Sequence, residues 1–268
     1  MYHELINYAT PHYPFLTEHL NVRYIPHFHE ETELVYGIEG QLDVTLGTQT
    51  FTLYANEICI IPQGIVHNLY TNSYSKCFVL KLYPLVDFNN IYLVNYVVSP
   101  HTKGYDQLLS NINSIIYENQ QKAPGYQLAV NICAENILLT ILRELEHHQL
   151  DSKIKTKHLS ENHFLGTVNA FLEVNYASDL SLGDIAQHFN YTKSYFCRHF
   201  KNVTQQSFWD YLTTFRLEKA IQLIKTAPRE KFIVIASKAG FKNIRSFNLA
   251  FKSYYRCTPS EYRKMLTK

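Results

Sequence analysis

Leu182-Gly-Asp-Ile-Ala-Gln-His-Phe-Asn190 runs into Tyr191-Thr-Lys-Ser-Tyr-Phe-Cys-Arg-His-Phe-Lys201. The pattern returns as Ile233-Val-Ile-Ala-Ser-Lys-Ala-Gly-Phe241 followed by Lys242-Asn-Ile-Arg-Ser-Phe-Asn-Leu-Ala-Phe-Lys252. Each copy has a short helical stretch around an Ile-Ala pair, Ile185-Ala186 and Ile235-Ala236, and then a residue that tolerates positive φ, Asn190 or Gly240. A polar N-cap follows, Thr192 or Asn243, and a second helix ends in Phe-Lys. Two helices joined by so tight a turn make a helix-turn-helix. Residues 208–224 read as the helix between the copies, and Thr258-Pro259 starts a closing helix, with Pro259 at its first turn.

Charge divides the chain in the same place. Residues 1–161 hold nine Lys and Arg against 16 Asp and Glu, a net of −7, whereas residues 162–268 hold 16 against seven, a net of +9. A basic unit beside an acidic one fits a nucleic-acid module joined to a part that should not bind phosphate. The second helix of a helix-turn-helix enters the DNA major groove, so two copies suit two successive faces of a duplex. Phe196, Phe200, Phe247 and Phe251 recur at i, i+4 and should be core. The opposite faces then present Lys193, Ser194, Cys197, Arg198 and Lys201 in the first copy, and Ile244, Arg245, Asn248, Leu249 and Lys252 in the second. Arg198 and Arg245 suit guanine, Asn248 suits adenine, and the lysines suit phosphates.

The N-terminal half reads differently. Residues 1–20 carry no period and are expected to be an arm. From Val22 to Pro84 the text is strand-like, with a hairpin over residues 41–53 around Gly47-Thr48 and short strands at 57–61 and 76–82. Close-spaced short strands suggest an antiparallel barrel or jelly roll. Apolar residues at helical spacing over 105–148, broken at Ala123-Pro-Gly125, give a helical pair, and the polar stretch 150–161 reads as a linker. The expected fold is therefore α+β, a β-barrel with a helical pair over 1–149, then an all-α unit over 162–268.

Within the barrel text, His27-x-His29-x₃-Glu33 and a later His67 place three imidazoles and a carboxylate on neighbouring strands. Two His two apart on a strand face the same way. The set is read first as the polar lining of a small-molecule effector pocket, with Tyr24 and Tyr36 beside it, and alternatively as a divalent-metal site. Tyrosines, 21 in all, suit stacking and hydrogen bonding to a sugar. Cys59, Cys77, Cys133, Cys197 and Cys257 form no CxxC pair and are odd in number, so no disulfide framework or zinc knuckle is indicated. No apolar run reaches the roughly 20 residues of a membrane span, and the expectation is a cytoplasmic protein without membrane contact.

The run Ile235-Ala236, Gly240-Phe241, Phe247, Phe251-Lys252 and Pro259-Ser-Glu-Tyr-Arg263 resembles the AraC/XylS-type transcriptional regulators over residues 162–265, and the His27–His67 pattern resembles the cupin barrel. Gln205 and Arg256 stand where that family usually has Gly, and Asn190 replaces the Gly of the first turn. Leu249 stands where an Arg is frequent, so the second helix reads fewer bases or touches a thymine methyl, and copy one becomes the main reader. The resemblance implies a cytoplasmic activator without enzymatic activity that binds double-stranded DNA and works with RNA polymerase. It further implies a small effector, a sugar or its derivative, in the barrel and a homodimer through helices 105–148. An N-terminal arm with Tyr8, His12, Tyr13 and Phe15 would close over the pocket. Two rival readings are a metal-dependent cupin enzyme fused to a DNA-binding unit and a constitutive regulator with a vestigial pocket.

Overall fold

A computed structural model describes residues 14–71, 74–83, 91–149 and 151–266. The chain forms two compact units that divide at Phe164/Leu165, and each is described by itself.

The first unit is built on one long strand, β2 (Thr32–Leu46). Its first half pairs antiparallel with β4 (Ile58–Ile61) and β6 (Ser75–Leu82), and its second half with β3 (Gln49–Tyr54) and β5 (His67–Tyr70). A strand that changes partners midway must bend. β2 does so at a register shift between Gly37 and Glu39, followed by Gly40 at φ +69°. A Cβ at Gly40 would run into the Tyr74 carbonyl, so only glycine fits the corner. The expected hairpin closes at Gly47-Thr48, with Leu46 opposite Gln49.

Residues 15–20, expected within an irregular arm, form β1 (Phe15–Leu20) on the edge of the sheet beside β6. This edge strand is only partly covered, with Leu16, Thr17 and His19 half-buried and Phe15, Glu18 and Leu20 exposed, and so it needs no strict apolar alternation. Phe15 begins that strand and is exposed, whereas Tyr8, His12 and Tyr13 lie outside the described residues.

Helices α1 (Tyr105–Gln121) and α2 (Tyr126–Glu144) close over the sheet, burying Leu108, Ile112, Ile115, Ile137 and Ile141 in one core with Leu34, Ile58 and Ile60. The far face of α2 stays open: Leu128, Ile132 and Leu139 are exposed while Leu138 is buried and Leu142 packs on the core.

The expected linker at 150–161 is instead the first half of α3 (Ser152–Asn175). The Asp151 carboxylate accepts from the Lys153 amide at 2.9 Å, and Lys157 lies 3.7 Å from Glu161 one turn on. A solvated helix has the same polar composition as a linker, so the missing apolar period misleads. From Phe164 onward α3 buries Leu165, Val168 and Leu172.

In the second unit α3 is followed by α4 (Leu182–His188), α5 (Lys193–Thr204), α6 (Phe208–Thr226), α7 (Phe232–Lys238), α8 (Ile244–Tyr255) and α9 (Pro259–Leu266). Helix α6 is the shared wall: Phe208, Tyr211, Leu212 and Phe215 are buried towards its start and Leu217, Ala220, Ile221 and Ile224 towards its end. Among the described residues no helix is long and apolar enough to cross a membrane.

Candidate nucleic-acid interface and buried histidine cluster

The two helix-turn-helix copies are built by the same local chemistry. Thr192 and Asn243 have extended backbones, and their side-chain oxygens accept from the Tyr195 amide at 3.2 Å and the Ser246 amide at 2.8 Å. The turns close alike, with the Tyr191 amide donating to the Ala186 carbonyl at 2.8 Å and the Phe241 amide to the Ala236 carbonyl at 2.9 Å. Asn190 and Gly240 hold φ of 56° and 83°. A Cβ on Gly240 would sit 2.7 Å from the Ala177 Cα and the Tyr176 carbonyl oxygen, so glycine is required there by contact as well as by φ. Gln205 and Arg256 adopt the left-handed conformation after each recognition helix (φ 59° and 58°), so the loops survive the absence of glycine.

Phe196, Phe200, Phe247 and Phe251 are fully buried, as their spacing requires. The opposite faces of α5 and α8 carry Lys193, Ser194, Cys197, Arg198 and Lys201, and Arg245, Asn248, Leu249 and Lys252, all exposed, with Ile244 half-buried. The copies are not identical. The second turn has one more residue, because α5 starts three residues after Asn190 and α8 four after Gly240.

In the first unit the structure brings His27, His29, Glu33 and His67 together. Their ligand-type atoms all lie within 4.8 Å of one another, and all four side chains are buried. His27 and His67 are fixed by a two-way backbone bridge of 2.9 and 2.8 Å. Each ring also donates its Nδ1–H to a backbone carbonyl two residues away: His27 to Ile25 (2.8 Å), His67 to Ile65 (2.8 Å) and His29 to Glu31 (3.0 Å). That arrangement turns the Nε2 lone pairs of His27 and His67 inward and fixes their tautomer.

Electrostatics agree with the geometry. Burial, with the neighbouring His29 charge, lowers the His27 pKa to about 4, and burial with His27 and His29 puts His67 well below its usual value, so both rings are neutral. Burial opposes protonation of His29 too, but the Glu33 hydrogen bond (Nε2 to Oε2, 3.0 Å) and charge, with Glu31, outweigh it and raise its pKa. Glu33 Oε1 and His67 Nε2 are buried without a hydrogen-bond partner and lie 3.9 Å apart. Unsatisfied acceptors at the centre of a polar cluster are costly, and a cation between them would satisfy both. The donor set, three imidazoles and a carboxylate, therefore fits a divalent transition metal.

Tyr24 joins the edge of this cluster, its ring 5.6 Å from that of His27 and its hydroxyl 3.1 Å from His19 Nε2. Tyr36 does not. It lies three residues after Glu33 on β2, hence on the other face, with its hydroxyl 3.5 Å from Asn56 Oδ1. Two residues escaped the sequence reading. Lys81 stands opposite Glu33 in the β2–β6 register, buried, with Nζ 3.6 Å from Glu33 Oε2, and burial lowers its pKa to about 8. Glu31 reaches His29 Nδ1 at 3.5 Å. A lysine sharing a strand face with Cys77 and Val79 was the available signal for Lys81. Cys59 is not part of this cluster of ligand-type atoms, and burial and then the Glu33 charge push its thiol well up.

Comparison with known proteins agrees with both parts. A family model described as a helix-turn-helix domain matches residues 185–265, and one described as a cupin domain matches residues 21–83. The Msm operon regulatory protein of Streptococcus mutans is 27% identical over 238 residues, covering 85% of this chain and 82% of that protein. The transcriptional regulatory protein HptR of Staphylococcus aureus is 28% identical over 104 residues, 39% of this chain and 40% of that protein. Among solved structures, a ToxT variant from Vibrio cholerae in its apo form aligns over 94% of this chain and 97% of its own, at 15% identity and a TM-score of 0.50, which is a likeness of fold.

Proposed function

We propose that this chain is an AraC/XylS-type transcriptional regulator with an N-terminal cupin domain, that it recognises two successive major-groove faces of double-stranded DNA and that its barrel responds to a small effector. The DNA reading is carried by one observation: two capped recognition helices project Lys193, Arg198, Lys201, Arg245, Asn248 and Lys252 to solvent from a part of the chain with a net charge of +9. Arg198 is the strongest base reader, because a guanidinium pairs with both acceptors of guanine. Arg198→Ala should cost about 1–3 kcal/mol at one or two base pairs of a duplex selected from a random library. Equal weakening on every sequence would make Arg198 a phosphate contact instead.

The buried cluster is proposed to hold one divalent ion through His27, His29, His67 and Glu33. Bound there, the ion would supply positive charge and Lewis acidity that attract oxygen donors of an effector. The chain's own part is to orient the rings through the Ile25, Ile65 and Glu31 carbonyls and to balance charge through Lys81 and Glu31. An effector rich in hydroxyls, such as a sugar, suits this chemistry and the neighbouring Tyr24 hydroxyl. It must bind two conformations of the regulator unequally to change transcription. A sugar panel that leaves both melting and operator affinity unchanged would remove this reading.

The exposed Leu128, Ile132 and Leu139 face of α2 supports a two-fold homodimer, and activation would place RNA polymerase beside the bound dimer in the cytoplasm. Sedimentation of Ile132→Asp should show a shift to monomer, and an unshifted dimer would place the axis elsewhere.

A further inference from the structure

The two recognition helices share a scaffold but differ in the chemistry they present at particular positions. Counted from their first residues, Lys193, Cys197 and Arg198 of α5 correspond to Ile244, Asn248 and Leu249 of α8, whereas Lys201 and Lys252 are equivalent lysines. The preceding helices differ in the same sense: the second residue is Gly183 in α4 and Ile233 in α7. Ile233 and Leu249 are 61% and 63% exposed. Together with Ile244, Asn248 and Lys252 they line a groove of about 530 Å³ between α7, α8 and the start of α9. Ile233 and Leu249 add nothing to the core, which is made by Phe247 and Phe251 on the other face, whereas Ile244 is half-buried and packs partly against it.

Resting on the DNA-binding reading above, we propose that this groove is a reader of A·T base pairs. Leu249 and Ile244 contact thymine 5-methyl groups, Asn248 pairs with the N6 and N7 edge of adenine, and Lys252 holds a flanking phosphate. Three features select this occupant. The groove lies on the helix face that carries Arg245 and Lys252, so its rim is cationic and suits a polyanion. Thymine is the one standard base that offers an apolar group in the major groove, and an adenine-matching amide stands directly beside the leucine. Two of the three cationic positions of the first copy's reading face, Lys193 and Arg198, become apolar in the second, while Lys201 stays lysine as Lys252 and Ser194 becomes Arg245. The second copy thus adds sequence information of its own: beside the guanine that Arg245 suits, it favours A·T through Leu249, Ile244 and Asn248.

The test exchanges thymine for deoxyuridine, which deletes the methyl and leaves every hydrogen-bonding group in place. The full chain is titrated with duplexes selected from a random library, substituted in the element that footprinting assigns to α8. Wild-type affinity should fall about fourfold for each contacted methyl removed. Leu249→Ala should lose the distinction between thymine and uracil at the position Leu249 contacts, and Leu249→Ala combined with Ile244→Ala should lose it altogether. Equal wild-type affinity for thymine and uracil duplexes overturns the proposal. A Leu249→Ala protein with unchanged operator affinity but reduced transcription also overturns it, and would make the groove a protein-docking face. Failure to select any sequence would overturn the DNA-binding reading itself, which the thymine result alone cannot do.

Discussion

Removing the divalent ion from the histidine cluster should lower the melting temperature of the N-terminal unit by roughly 8–16 °C. A ligand present at about 1,000 times its Kd contributes about 4.1 kcal/mol to the state that binds it. In a domain of this size each kcal/mol moves the midpoint by roughly 2–4 °C. The ligand geometry exists in the folded barrel alone, since His27, His29, Glu33 and His67 come from a loop and two strands. The unfolded chain therefore competes weakly for the ion. Protein purified without a His-tag should carry about one ion per chain, and His67→Ala should bind it more than about 100-fold less tightly. That variant also relieves the buried, unpartnered Nε2, so its metal-free form can be as stable as the wild type. The decisive quantity is the difference between metal-loaded and chelated melting, which should vanish in His67→Ala. If no ion co-purifies, and manganese, iron, nickel and zinc each leave melting unchanged, the cluster is a polar pocket lining, as the sequence reading first preferred.

The helical unit was legible to the level of individual caps because its signals are local. An N-cap, a left-handed turn residue and an i, i+4 phenylalanine pair are each decided within a few residues of chain, and Thr192, Asn190 and Phe196 act as they read. The barrel was legible as strands but not in its cross-strand register. Tyr36 lies an odd number of residues from Glu33 on one unbroken strand, so alternation alone already puts it on the other face, whereas Lys81 enters only through the β2–β6 register, a contact across about 50 residues that no local pattern encodes. Residues 150–161 misled for a third reason. A helix held by Asp151 capping and a Lys157–Glu161 pair needs no apolar stripe where it faces water.

Phe251→Ala should cost about 3–5 kcal/mol, the range for emptying a buried phenylalanine site. The ring is fully buried, with Phe247, Tyr255 and Tyr262 at centroid distances of 5.5, 4.7 and 5.7 Å, and it closes the cluster of Leu217, Ile221, Ile224 and Ala236. A protein of ordinary stability holds about 5–15 kcal/mol, so the loss is a large share. Urea unfolding should show it as a midpoint lowered by roughly 2 M. Its reach depends on α6, whose buried residues serve both copies: Phe200 packs on Phe208 and Tyr211 near one end and Phe251 belongs to the cluster at the other. Tyr211 further ties α6 to α3 through a 2.6 Å hydrogen bond from its hydroxyl to Asn169. Because the same helix bears both loads, hydrogen exchange in Phe251→Ala should accelerate in α5 as well as in α8. Acceleration confined to α8 would mean that the second helix-turn-helix opens as a separate cooperative unit. The salt dependence of DNA binding would then retain the phosphate contacts of the first copy alone. A loss below about 1 kcal/mol would sink the assignment of Phe251 to a close-packed core.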